Sequence, residues 1–131
     1  MPKRHPLPQP TTAELEILRA LWRRGAATVR EVHEELRPGR PVGYTTVLKL
    51  MQIMAEKGLV TRDQSARTHV YKAAVSEKST RRRLVSDLLD RAFDGSALGL
   101  VMQALSARRA SAEEIERIRE LLDEMEKGGR S

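Results

Sequence analysis

Between Val42 and Lys72 the chain reads as one amphipathic helix followed at once by a short basic hairpin, and that order leaves few folds open. On a wheel of 3.6 residues per turn Val47, Leu50, Met51 and Met54 fall on one side, while Thr45, Lys49, Gln52 and Glu56 fall on the other. The first face belongs to a core. The second begins, after Gly43-Tyr44-Thr45-Thr46, with hydroxyls and a lysine near the helix N-terminus, where unpaired N–H groups and the positive dipole end favour an anion or an acceptor-rich surface. Gly58 supplies a left-handed stop. Leu59-Val60-Thr61-Arg62 and Thr68-His69-Val70-Tyr71-Lys72 then read as two strands around a polar turn.

Upstream, the same capping signature occurs twice. Thr11 with Glu14 opens a helix reaching to about Arg24, on which Leu15, Leu18, Leu21 and Trp22 recur at helical spacing, with Trp22 as the bulky anchor of the core; Gly25 ends it. Thr28 with Glu31 opens a second helix that turns Val29, Val32 and Leu36 inward, and Pro38-Gly39-Arg40-Pro41 breaks it. Three helices and a hairpin over residues 11–75 predict a winged helix-turn-helix. Residues 1–10, with four prolines and a Lys-Arg-His cluster, read as a flexible N-terminal tail; a basic arm reaching along a duplex is the less favoured reading of them.

Charge separates this first domain from the rest. Residues 1–75 carry 13 Lys or Arg against 7 Asp or Glu, whereas residues 76–131 carry 11 against 11, so the whole net charge of +6 sits in front. A basic domain joined to a neutral one suits attraction to a polyanion.

From Ser76 onward the pattern is wholly helical. Leu84, Val85, Leu88, Leu89, Ala92 and Phe93 form a broad apolar stripe, residues 96–105 are apolar nearly all round, and Ser111 with Glu114 caps a last helix whose Ile115, Ile118, Leu122 and Met125 follow a three-four-three spacing. Three short helices cannot bury that much apolar surface among themselves. A second copy is the simplest remedy, so residues 76–127 are expected to form an all-helical dimerisation domain, with Leu88, Leu98, Val101, Leu105, Ile118 and Leu122 in the seam and residues 128–131 as a flexible C-terminus. The fold class expected is therefore mainly α with a small β-hairpin. At 131 residues, 40% hydrophobic, the chain has material for one core plus such an accessory segment.

Other chemistries find little support. There is no cysteine, hence no disulfide or thiolate metal site. His5, His33 and His69 are far apart, and Glu34 and Glu35 point to different sides of a helix, so neither a metal set nor an acid/base couple is expected, and no cofactor. No glycine-rich phosphate loop or nucleophile motif appears, so an enzyme is not expected. No run approaches the roughly 18 apolar residues of a membrane span, and the prolines and charges of residues 1–10 do not suit a secretory leader, which points to a cytoplasmic protein.

If the partner is double-stranded DNA, Tyr44, Thr45, Thr46 and Lys49 are the candidates for base-edge or nearby phosphate contacts, and Arg40, Arg62 and Arg67 for flanking phosphates. Each has a plainer alternative: Thr45 and Thr46 as helix caps, Tyr44 as packing against the second helix, Arg67 as a solvated charge. Arg81-Arg82-Arg83 is left out of the site, because Arg83, Asp87 and Arg91 are spaced four apart for ordinary helix ion pairs. Winged helices also dock on proteins, so a protein-interaction module without specific DNA binding is the alternative function; a small-molecule-responsive regulator is a third reading.

From Thr12 to Met125 the chain resembles the penicillinase-repressor (BlaI/MecI type) family of winged-helix transcriptional regulators. The resemblance is carried by Ala13-Glu14-Leu15-Glu16-Ile17-Leu18 with Leu21-Trp22, by Thr28-Val29-Arg30-Glu31-Val32, by Tyr44-Thr45-Thr46-Val47, by Glu56-Lys57-Gly58-Leu59-Val60, and by Tyr71 and the helical tail, in that order. It implies a homodimeric repressor on a palindromic, inverted-repeat operator, commonly with TACA/TGTA cores, before genes of antibiotic or cell-wall stress. It also implies relief by a membrane sensor-protease cutting the tail at a site resembling Leu100-Val101-Met102-Gln103-Ala104-Leu105. The best-known members look like Asn-Phe where this chain has Gln103-Ala104. A copper-responsive branch carries a cysteine-rich C-terminus, which this chain does not match.

Overall fold

The computed structural model of the protein describes residues 9–39 and 42–129. Its elements run α1 (Thr12–Arg24), β1 (Ala26–Ala27), α2 (Val29–Leu36), α3 (Tyr44–Lys57), β2 (Val60–Asp63), β3 (Val70–Ala73), α4 (Glu77–Ala92), α5 (Ala97–Ala107) and α6 (Ala112–Gly129). Mostly helical with one small antiparallel sheet, this is the winged helix-turn-helix class that the sequence predicts. Contacts divide the chain into two compact units, up to residue 85 and from residue 86 on, a division inside α4.

Both capping boxes form. Thr11 Oγ1 accepts from the Glu14 N–H (3.2 Å) while the Glu14 carboxylate accepts from the Thr11 N–H (2.9 Å), and Thr28 and Glu31 repeat the exchange. At the other end of α3 the chain closes as expected from Gly58, which takes φ 85° at no steric cost. The Gly58 N–H donates to Ala55 O (3.2 Å) and the Leu59 N–H to Met54 O (2.9 Å), so the last carbonyls of α3 are served and the chain is turned into β2.

The sheet has the order β1-β3-β2, with Ala27 opposite Tyr71 and Arg62 opposite Tyr71 from the other side. The hairpin was expected; β1 was not, since two alanines carry no alternation. Its effect is to tie the α1–α2 connection to the hairpin, so that wing and helices share one core.

That core is filled by Ile17, Leu18 and Leu21 of α1, Val29 and Val32 of α2, Val47, Met51 and Met54 of α3, and Leu59, Val60 and Tyr71 of the hairpin, each fully or nearly fully buried. Burial of one such side chain is worth about 2 kcal/mol. The expectation for Trp22 needs correcting: it packs on the rim, half-buried, and its indole Nε1 donates to Val75 O at 2.9 Å. An indole N–H needs an acceptor, and the main chain after β3 offers one there. Tyr71, not Trp22, is the largest side chain wholly inside.

The second unit, taken by itself, is differently built. Ser96 caps α5 through the Gly99 N–H (2.9 Å), and at the start of α6 the expected Ser111 accepts from the Glu114 N–H (3.1 Å). Yet no residue of α5 or α6 is buried. Leu98 is 70% exposed, Met125 63% and Met102 60%. Along α4, Arg81 pairs with Glu77 (2.7 Å) and Arg91 with Asp87 (3.3 Å), the latter at the spacing foreseen. No described helix is long and apolar enough to cross a membrane.

Candidate nucleic-acid interface

The first turn of α3 is left open by its own sequence. The N-cap is Gly43, with φ −74° and ψ 155°, and among the described residues no side chain caps the helix. Neither Thr45 nor Thr46 closes the helix end, and both lie exposed in its first turn. Lys49 is exposed one turn further on, while Val47, Met51 and Met54, with no exposed surface, fasten the opposite side into the core. A helix start with free N–H groups, two outward hydroxyls and an outward ammonium is suited to phosphate oxygens and base acceptors.

Tyr44 does two things at once. Its ring meets His33 of α2 edge to face, with centroids 5.9 Å apart and planes at 86°, yet it keeps 45% of its surface exposed. Packing against the second helix, one of its two readings, is thus present. The imidazole Nε2–H of His33 also donates to Val42 O at 2.8 Å, just ahead of the helix.

An open groove of about 310 Å³ runs beside this helix start. It is walled by Thr28 and Arg30 at the head of α2, Tyr44 and Leu48 of α3, and Arg67, Thr68 and His69 of the wing turn. Tyr44 and Arg67 are thus brought to one place. Arg62 is not: it borders another cleft with Thr61, Asp63, Val70 and Lys72, while Asp63 accepts from the Ser65 N–H (2.9 Å) to hold the wing turn. Arg40 lies outside the described residues. Sequence reasoning missed Arg30, Thr68 and His69 as neighbours of this groove. Only the exposed position of Arg30 next to a predicted N-cap could have signalled it.

Electrostatics sharpens the contrast between faces. Arg23 and Arg24 are engaged by Glu35 and Glu31, at 2.6 to 3.4 Å, and Lys57 by Glu14 at 2.8 Å. Arg30, Lys49 and Arg67 form no ion pair among the described residues, so their charge stays available. Glu14 is almost wholly buried. Burial pushes its carboxyl up, but the Lys57 ammonium and the Thr11 N–H and hydroxyl together hold it below the usual carboxylate range. Glu35 is lowered by its hydrogen bond from Arg23, and Glu31 by the Thr28 N–H.

In the second unit Leu88, Leu98, Val101, Leu105 and Leu122 are exposed and Ile118 half-buried, so the residues expected in a seam face outward from the single chain. Gln103 and Ala104 are exposed in the interior of α5. No group of three or more metal-ligating side chains gathers among the described residues.

Comparison with known proteins identifies the family. The penicillinase repressor family model matches residues 10–124. The chain is 33% identical over 117 residues to the transcriptional regulator BlaI of Mycobacterium tuberculosis, covering 88% of this chain and 83% of that protein. It is 25% identical over 118 residues to the penicillinase repressor of Bacillus licheniformis, covering 90% and 92%. Among solved structures, the DNA binding domain of the repressor BlaI superposes with a TM-score of 0.50 at 24% identity, over 56% of this chain and 90% of that one, a likeness of fold.

Proposed function

The chain belongs to the penicillinase repressor family, and from that premise we propose that it is a homodimeric transcriptional repressor that binds a palindromic operator in double-stranded DNA through α3 and the wing. One observation carries the reading: α3 is seated in the core by Val47, Met51 and Met54 while its uncapped start presents Tyr44, Thr45, Thr46 and Lys49 outward. In a major groove, Lys49 would reach guanine acceptors and the threonine methyls would meet thymine methyls. Arg67 and Arg30, flanking the groove beside Tyr44, would take backbone phosphates, and Arg62 and Arg40 would take others; such contacts fix position rather than sequence.

Dimerisation is supported by the bare apolar surface of α5 and α6, and a two-fold dimer calls for an inverted repeat. Its relatives carry the names of penicillinase and methicillin-resistance regulators, which makes genes of antibiotic or cell-wall stress the first targets to test, and a membrane sensor-protease acting near Gln103 and Ala104 the first route of relief. The repressor would act in the cytoplasm, and no catalytic step belongs to this reading.

The test is selection of bound genomic fragments by the purified chain at several salt concentrations. A palindromic site whose affinity falls linearly on a log–log plot against salt is the expected result. Indifference to duplex DNA even at low ionic strength would overturn it and favour a protein-docking module.

A further inference from the structure

The function proposed above rests on how α3 begins, and α3 has no cap of its own. Its N-cap is Gly43, which has no side chain to accept from the first turn, and glycine is the residue least able to hold one backbone geometry unaided. One turn before α2 ends, His33 reaches across the connection of residues 37–43. Its Nε2–H donates to the carbonyl of Val42 at 2.8 Å, and its ring makes a T-shaped contact with that of Tyr44, the first residue of α3, at 5.9 Å and 86°. A single half-buried side chain therefore grips both neighbours of Gly43. Because a carbonyl only accepts, Nε2 is the donor in this bond.

We propose that His33 is a positioning residue for DNA recognition: it staples the start of α3 through Val42 and orients Tyr44 over the groove, without itself touching the duplex. The proposal deepens the operator-binding reading and depends on it for its second half only.

Two substitutions separate the two grips. His33→Phe keeps a ring for Tyr44 and loses the donor; His33→Gln keeps a donor and loses the ring. The first measurement needs no DNA: amide hydrogen exchange of Val47, whose N–H donates to Gly43 O at 3.2 Å and so reports the first bond of α3, with Met51 as a core reference. In the full chain His33→Phe should speed Val47 exchange about fivefold, the factor expected for one lost hydrogen bond, with Met51 much less affected, and His33→Gln should restore it. The second measurement is affinity for the selected operator, which should fall about fivefold in His33→Phe and recover in His33→Gln. Unchanged Val47 exchange in His33→Phe overturns the staple. Faster exchange with unaltered affinity overturns its role in recognition. Parallel loss of thermal stability in both variants, with no difference between Phe and Gln, would make His33 ordinary packing and overturn the proposal as well. A wild-type chain that ignores duplex DNA would sink the function proposed above, while the exchange experiment would still decide whether His33 holds the helix start.

Discussion

Met51 and Met102 are both methionines in the middle of helices, yet Met51 has no exposed surface and Met102 is 60% exposed. The contrast extends to the units around them. Up to residue 85, three helices and a three-stranded sheet close over their own apolar side chains; from residue 86 on, α5 and α6 bury none. Hydrophobic patterning tells which face wants to leave water, but not whether the same chain supplies the cover. The first unit is complete as a fold and incomplete at its helix start. The second is incomplete as a fold.

Removal of the second unit should have the largest effect. A chain ending at residue 85 should stay folded, because the core from Ile17 to Tyr71 and the Thr80 contact with Ser76 are retained, but operator affinity should drop about 100-fold through loss of bivalency. Sedimentation and fluorescence anisotropy on the same sample check both halves. Leu98→Asp places a charge on the most exposed large apolar residue. It should yield monomers at micromolar concentration without changing the spectrum of a folded helical protein, whereas a dimer persisting in sedimentation would move the seam away from α5.

Within the first unit, Lys57→Ala strips the partner from a buried carboxylate. Urea unfolding should show a loss of about 3 kcal/mol. Since the Glu14, Glu31 and Glu35 carboxyls are all held below their ordinary values, the stability they contribute is present at neutral pH and is lost as pH falls through the folded-state values, below the usual carboxylate range. The acid limb of a stability profile should therefore flatten in Lys57→Ala. Smaller effects belong to the outward face. Lys49→Ala should weaken the operator about tenfold and relax its sequence preference, and Arg67→Ala should weaken all duplexes alike and reduce the salt slope by about 1.

What the sequence disclosed is local. Thr11 with Glu14, Thr28 with Glu31 and Gly58 act over a few residues, and each does what its spacing implies. What it withheld is tertiary. Glu14 reads as a cap, but its second partner, Lys57, is 43 residues away and no local pattern links them. β1 is two alanines given strand form only by Tyr71 and Lys72 opposite. Trp22 is large enough to suggest a centre, yet its N–H draws it to the rim. On the candidate interface the outward hydroxyls and Lys49 were legible from helical phase. Arg30 and His69 were not, because the groove that unites them with Tyr44 and Arg67 is made by chain segments that meet only on folding.

The peptide bond between Gln103 and Ala104 lies well inside α5, a helix from Ala97 to Ala107. An endopeptidase takes its substrate stretched through a cleft, so solvent access to these side chains is not access to the bond: the helix must first come undone. Any cutting there would run at the pace of that local melting. A companion chain clasped against Leu98 and Val101 would slow it further, so that a paired form would guard its own tail and scission would favour molecules already apart.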